Sequence, residues 1–214
     1  VFDARGANVT KAMVVEQIAG RGIADARVLA AMREIPRHLF VAERDRANAY
    51  IDAPLGIEHG QTISQPYIVA LMTELARPRP TDRALEIGTG SGYQAAVLSR
   101  LVDRVFSVEI IAELADTARE RLAALGYRNV TVRQGDGYLG WPGEAPFDII
   151  LVTAAPDDIP PALVSQLRPG GRLVIPVGAA GAVQDLVVVE KDVAGSLTKR
   201  SVIPVRFVPM VKKK

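Results

Sequence analysis

Leu85-Glu86-Ile87-Gly88-Thr89-Gly90-Ser91-Gly92 is an apolar run that breaks into three glycines at alternate positions, and its reading decides the fold. Arg83 to Ile87 has the composition of a short buried strand. The glycines after it carry no side chain, so a ligand can come close to the backbone there. Tyr93 to Leu101 then has helical composition. Strand, glycine turn and helix start together make the opening βα unit of a fold that takes a nucleotide-like ligand, with N–H groups at the helix start expected to face it.

The spacing is G-x-G-x-G. A dinucleotide site uses G-x-G-x-x-G, whose third glycine brings the helix close to a pyrophosphate, so a ligand without phosphate fits better. Arg104 to Val108 reads as a second strand ending at Glu109, about 20 residues beyond the first glycine, where a carboxylate can accept both hydroxyls of a ribose. Val130 to Arg133 reads as a third strand, leading into Gln134-Gly135-Asp136-Gly137, which can set a carboxylate near an adenine amino group. Singly, a glycine turn is as often mere connection as site, and an acidic residue at a strand end is usually solvated. In this order they imply an α/β fold, a Rossmann-like doubly wound, mostly parallel sheet, and they resemble the S-adenosyl-L-methionine site of class I methyltransferases.

Composition narrows the alternatives. Half the 214 residues are hydrophobic, enough for one substantial core, so the chain reads as a single domain, with an N-terminal helical addition and loop over 1–77 and a Rossmann-like core with C-terminal strands over 78–214. Cysteine is absent, which removes disulfides, zinc-thiolate sites and cysteine nucleophiles. Two distant histidines without a carboxylate cluster give no metal site. Basic residues number 26 against 24 acidic, and Lys212, Lys213 and Lys214 supply three of them. The body is therefore near neutral, without the basic stripe of a nucleic-acid binder. No apolar run approaches the ~20 residues of a membrane span, and no signal-peptide pattern stands at Val1. A cytoplasmic monomer, free of membrane and nucleic acid, is the expectation.

Along the chain, Thr10 is positioned to cap a helix through Ala19, with Val14, Val15 and Ile18 on one face. Asp25 caps a second helix, in which Val28, Leu29, Met32 and Ile35 recur at helical spacing up to Pro36. Further helices are expected over Pro66 to Ala76, Glu113 to Leu125 and Asp158 to Leu167. Strands are expected over Phe147 to Val152, Arg172 to Val177 and Gln184 to Lys191, with a last edge strand carrying Val205, Phe207 and Pro209.

Between the second helix and Pro66 runs a loop rich in proline, glycine and small polar residues, a candidate binding loop. It ends in Gly60-Gln61-Thr62-Ile63-Ser64-Gln65-Pro66-Tyr67, which resembles the signature of the protein-L-isoaspartate (D-aspartate) O-methyltransferase family. Arg21-Gly22-Ile23, Pro36 to Val41, Leu85 to Gln94, Gly135-Asp136-Gly137, Val152 to Pro156 and Pro204 to Pro209 resemble it in the same order, so the likeness covers nearly the whole chain. Gly56, Glu58 and Tyr67 depart from the pattern, which bears on loop contacts to substrate more than on the cofactor site.

The resemblance implies methyl transfer from S-adenosyl-L-methionine, leaving S-adenosyl-L-homocysteine, to the free α-carboxylate of L-isoaspartyl residues in damaged proteins and peptides. It implies cofactor contacts from Thr62, Ile63, Ser64, Glu86, Gly88, Thr89, Gly90, Ser91, Gly92, Glu109, Asp136 and Gly137. Ser64 is the candidate catalytic residue, and His59, Tyr67, Gln184 and Val208 are candidate substrate contacts. The commoner role of a serine before a helix is a cap. Here Gln65 precedes Pro66, which places the cap at Gln65 and proline at the first helical position, leaving Ser64 free. A carboxylate acceptor, ionised at neutral pH, needs no general base, and none is evident. Methylation of RNA or a small molecule is the alternative. Thr153-Ala154-Ala155-Pro156 lacks the Asn/Asp-Pro-Pro-aromatic pattern that holds a base amino group. A non-catalytic cofactor binder and an NAD-dependent dehydrogenase are less favoured, the latter by the glycine spacing.

Overall fold

The computed structural model describes residues 9–212; Lys213 and Lys214 of the basic tail lie outside them. Two short strands, β1 (Leu55–Gly56) and β2 (Thr62–Ile63), form a separate hairpin. The central sheet has seven: β3 (Arg83–Ile87), β4 (Arg104–Glu109), β5 (Val130–Gln134), β6 (Phe147–Val152), β7 (Leu167–Val177), β8 (Gln184–Lys191) and β9 (Leu197–Val205). Their spatial order is β5-β4-β3-β6-β7-β8-β9. The first five strands of the sheet in sequence pair in parallel, and β8 and β9 add antiparallel. The chain runs outward from β3 through β4 to β5, then returns to β6 on the other flank of β3. The winding reverses between β3 and β6, which places the ligand crevice of a doubly wound sheet at their carboxyl ends.

β3 lacks a polar face because both sides of the sheet are covered. Ala84 packs in the cluster with Val105, Ile149 and Val174, and Leu85 in the opposite one with Phe106, Ile150 and Leu173. The first side carries α1 (Ala26–Glu34), α2 (Pro66–Ala76), α3 (Tyr93–Ser99) and α4 (Ala112–Ala124), through Val28, Met32, Val69, Met72, Val97, Leu98, Ala115 and Leu122. The second side is thinner, covered by α5 (Pro161–Gln166) and the C-terminal segment through Leu163 and Met210. Asp25 caps α1 by accepting from the Arg27 N–H, as its sequence position predicts. Among the described residues no helix is long and apolar enough to cross a membrane.

Four elements differ from the sequence reading. Thr10 lies inside a helical turn and is buried, so it is no cap. The helix continues as a π-turn over Met13–Ile18 and a 3-10 turn over Ala19–Arg21. The wider i→i+5 winding turns Met13, Val14 and Ile18 inward and leaves Val15 47% exposed. The helix expected from Asp158 starts only at Pro161, since Ile159 and Pro160 each precede a proline and are held out of helical angles. β7 runs unbroken from Leu167, five residues ahead of the strand start expected at Arg172, with a register shift against β6 over that added stretch. The last strand ends at Val205 and begins at Leu197; its first residues are exposed on both faces of the sheet edge and so carry no alternation to read.

Candidate active site

The carboxyl ends of β3 to β6 open on a crevice. Gly88 and Gly90 line it after β3, Glu109 followed by Ile110 and Ile111 after β4, Gly137 after β5, and Thr153 after β6. Gln61 and Thr62 of the hairpin and residues 208–211 complete the wall. The C-terminal segment is pinned across the opening. The Ala155 N–H donates to the Val208 carbonyl and the Met210 N–H to the Ala155 carbonyl, both at 2.8 Å, and the Tyr138 hydroxyl donates to the Met210 carbonyl at 3.2 Å.

Two of the glycines are demanded by space. A Cβ at Gly88, whose φ is 94°, would lie 2.5 Å from Thr153 Oγ1, and one at Gly137 would lie 2.4 Å from Ile87 Cγ2. Thr153 uses that room to donate its hydroxyl to the carbonyls of Ile87 (3.0 Å) and Gly88 (2.7 Å). Four of the turn's N–H donors are spent within the protein. Gly88 N–H bonds the Val108 carbonyl, Gly90 N–H bonds Glu109 Oε2, Gly92 N–H bonds the Thr89 carbonyl and Tyr93 N–H bonds Ser91 Oγ. The expectation of free N–H groups facing the ligand is therefore corrected at these positions: they are consumed in shaping the turn. That suits a ligand without phosphate.

Glu109 is buried at the end of β4. Its Oε2 accepts from Gly90 at 2.9 Å and its Oε1 from Ile111 at 3.1 Å. A carboxylate has about four lone-pair sites, so two remain for hydroxyls in the crevice. Glu86 lies beneath the turn and does not line the crevice. It is 0% exposed, the Ser107 hydroxyl donates to its Oε2, Thr89 and Ser107 share a 2.6 Å hydrogen bond, and Oε1 has no partner. Burial, the largest influence, pushes its carboxyl up to about 8; the Ser107 bond works against this and the Glu109 charge adds to it.

Folding thus raises this group's pKa above its value in the unfolded chain, so folding takes up a proton. The associated stability is complete below the unfolded pKa and is lost as pH rises through about 8. Thermal melts between about pH 6 and pH 9 are expected to show the wild type falling more steeply than Glu86→Gln, whose amide stays neutral throughout. Parallel curves for the two proteins would refute a protonated Glu86.

Ser64 stands where two cavities meet. With Ile63, Thr89 and Ser91 it lines a small recess beside the glycine turn, and it also lines a groove bounded by Pro54, Ile68, Val183, Arg206 and Phe207. Its backbone carbonyl accepts from Arg37 Nη2 at 2.7 Å, while its hydroxyl has no hydrogen-bond partner among the described residues. The cap position of α2 is Gln65, with Pro66 in the first turn, as the sequence predicts. Asp52 does the bonding there instead, accepting from Gln65 Nε2 at 2.7 Å and the Tyr67 N–H at 3.2 Å.

Of the other candidates, Thr62, Gly88, Gly90, Glu109, Gly137 and Val208 line the crevice. Gly92 begins α3 and Asp136 accepts from the Tyr138 N–H at 2.9 Å, both outside the lining. His59 is exposed at the hairpin tip with φ 57°. Tyr67 lies under the Arg21 guanidinium, 3.6 Å from its ring centroid. Gln184 is 2% exposed; its Oε1 accepts from the Phe207 N–H and its Nε2 donates to the Ala179 carbonyl. Both its ends serve the chain itself. Sequence reasoning did not select Gln61, Ile110, Ile111, Thr153 or Met210. Ile110 and Ile111 carried a usable signal, an apolar pair directly after the acidic strand end; Arg37 carried none.

A family model described as protein-L-isoaspartate(D-aspartate) O-methyltransferase matches residues 8–214. A Polaromonas sp. protein named protein-L-isoaspartate O-methyltransferase 2 is 56% identical over 191 residues, covering 89% of this chain and 90% of that one. The Opitutus terrae protein-L-isoaspartate O-methyltransferase is 56% identical over 207 residues, covering 97% and 88%. Among solved structures, a protein-L-isoaspartate O-methyltransferase superposes with TM-score 0.84 at 31% identity, over 94% of this chain and 65% of that one. A Plasmodium falciparum structure described as a putative protein-L-isoaspartate O-methyltransferase, in complex with S-adenosyl-L-homocysteine, gives 0.79 at 26% identity, over 94% and 97%.

Proposed function

We infer how the crevice divides its work from one premise: the chain belongs to the protein-L-isoaspartate (D-aspartate) O-methyltransferase family. It transfers a methyl group from S-adenosyl-L-methionine to the free α-carboxylate of L-isoaspartyl residues in damaged proteins and peptides, the first step of their repair. The observation that carries the residue assignment is the position of Ser64, its hydroxyl unbonded, between the glycine-turn recess and the Arg206–Phe207 groove.

The residues present fit the cofactor. Glu109 has lone pairs for two ribose hydroxyls, Gly88 and Gly137 leave the space a Cβ would fill, and Ile110, Ile111 and Met210 offer apolar walls for an adenine. Thr62, Ile63, Thr89, Ser91 and Gly92 shape the turn side, and Asp136 sits near enough to Gly137 to serve the adenine amino group. Glu86 acts from beneath, holding Ser107 and through it Thr89. When bound, S-adenosyl-L-methionine supplies an electrophilic methyl carbon on a sulfonium.

The protein's task is to orient the acceptor and exclude water. The acceptor carboxylate is ionised at neutral pH and needs no base; the Ser64 hydroxyl donates to it and turns one oxygen toward the recess. The groove takes the peptide backbone on either side, with Val208 at its junction with the crevice; His59 and Tyr67 are outer contacts. Once the ester forms, the amide nitrogen that follows the isoaspartyl residue attacks the ester carbonyl and methanol leaves. The resulting succinimide hydrolyses in part to normal aspartate. We propose that the protein acts as a monomer. We place it in the cytoplasm, where damaged proteins and cofactor are together, without a nucleic-acid partner.

The test is base-labile methyl ester from labelled S-adenosyl-L-methionine on two peptides that differ only by isoaspartate or aspartate at one position. Ester on the isoaspartyl peptide alone is expected. Ester on neither, with cofactor bound, would point to another acceptor.

A further inference from the structure

We propose that Arg37 is a positioning residue for the methyl transfer, fixing the Ser64 loop against the glycine-turn helix; the inference rests on the role given to Ser64 above. Arg37 is 0% exposed, yet no carboxylate lies within ion-pair distance of it among the described residues. Its Nε donates to the Ala49 carbonyl and its Nη2 to the Ser64 carbonyl, both at 2.7 Å. Its guanidinium carbon lies 4.8 Å from the centroid of the Tyr93 ring. Nη1 has no hydrogen-bond partner.

A buried cation that makes no direct ion pair, feeling the Asp52 charge only at longer range, and with one donor idle, is a poor device for stability. An apolar side chain of the same volume would fill the space at lower cost. What a guanidinium does and an apolar chain cannot is hold two carbonyls at fixed angles from one rigid plane. One of those carbonyls belongs to Ser64, and the ring beneath the plane belongs to the residue that follows Gly92. Arg37 therefore spans the two elements between which the reacting atoms must line up: the loop that orients the acceptor and the helix whose start closes the cofactor turn. Arg37 itself lines none of these cavities, so it acts only through the lining residues it holds. Displacing a positioned group by about 1 Å can cost about a hundredfold in rate.

A double-mutant cycle separates this from a purely structural role. Wild type, Ser64→Ala, Arg37→Met and the double variant are compared for kcat and KM on an isoaspartyl peptide, for S-adenosyl-L-homocysteine affinity and for melting temperature. Arg37→Met is expected to lower kcat about a hundredfold in the wild type and by less than about threefold in the Ser64→Ala background, with cofactor affinity nearly unchanged. Arg37→Lys, which keeps the charge but reaches only one carbonyl, falls between. If Arg37→Met does not fold, Arg37→Lys goes through the same cycle, with the same loss of effect expected once Ser64 is gone. Equal fold-losses in both backgrounds, or a kcat loss that tracks cofactor affinity, would overturn the proposal. A Ser64→Ala enzyme as fast as the wild type would instead remove the reading of Ser64 itself, and the proposal with it; that result is visible before Arg37 is changed.

Discussion

Ser64→Ala is expected to lower kcat on an isoaspartyl peptide by about 10²–10³-fold, the cost of removing one oriented donor at a reacting centre. The midpoint of thermal unfolding should move by less than about 2 °C. The separation of the two effects follows from what the side chain does not do. Its hydroxyl bonds nothing in the described protein, and the start of α2 is served by Asp52, which accepts from Gln65 and Tyr67. The bond that holds the loop in place is made by the Ser64 backbone carbonyl, which alanine keeps. Initial rates at saturating cofactor, beside a melting curve, decide it. Loss of stability in step with activity would return Ser64 to a structural role.

Glu109→Ala is expected to weaken S-adenosyl-L-homocysteine binding by about 10²–10⁴-fold. Hydrogen bonds to a charged acceptor are worth about 1.5–3 kcal/mol each, and about 1.4 kcal/mol is tenfold in affinity, so losing two ribose contacts accounts for that range. The same change also frees the Gly90 and Ile111 N–H groups that Glu109 accepts from, loosening the turn. Glu109→Gln should be little better than alanine. An amide has one acceptor oxygen, and its NH2 would meet one of the two N–H donors head-on. Calorimetric titration with S-adenosyl-L-homocysteine reads the loss, and kcat at saturating cofactor should recover far more than affinity does. Unchanged affinity would take Glu109 out of the site.

The chain by itself determined the elements that are locally encoded. β3, the glycine turn and β4 could be read because burial on both faces gives a continuous apolar run, and because an acidic residue at a strand end stands out against it. The start of α2 was legible for a similar reason: Pro66 restricts its neighbour Gln65 through covalent geometry, whatever surrounds them. Only the tertiary structure decided what depends on partners far along the chain. Thr153 reaches the crevice because β6 lies beside β3, and Met210 because Ala155 bonds the segment around it. The last edge strand was expected too late in the chain, around Val205 to Pro209, because the solvated start of β9 from Leu197 has no inward face to impose alternation. Arg37 looked like any surface arginine, since nothing in its neighbours shows that its charge is buried on the carbonyls of Ala49 and Ser64, 12 and 27 residues away. Ser64 could be named from the sequence, but its freedom to act depends on Asp52 arriving from another part of the loop to do the bonding that a serine in that position would otherwise do.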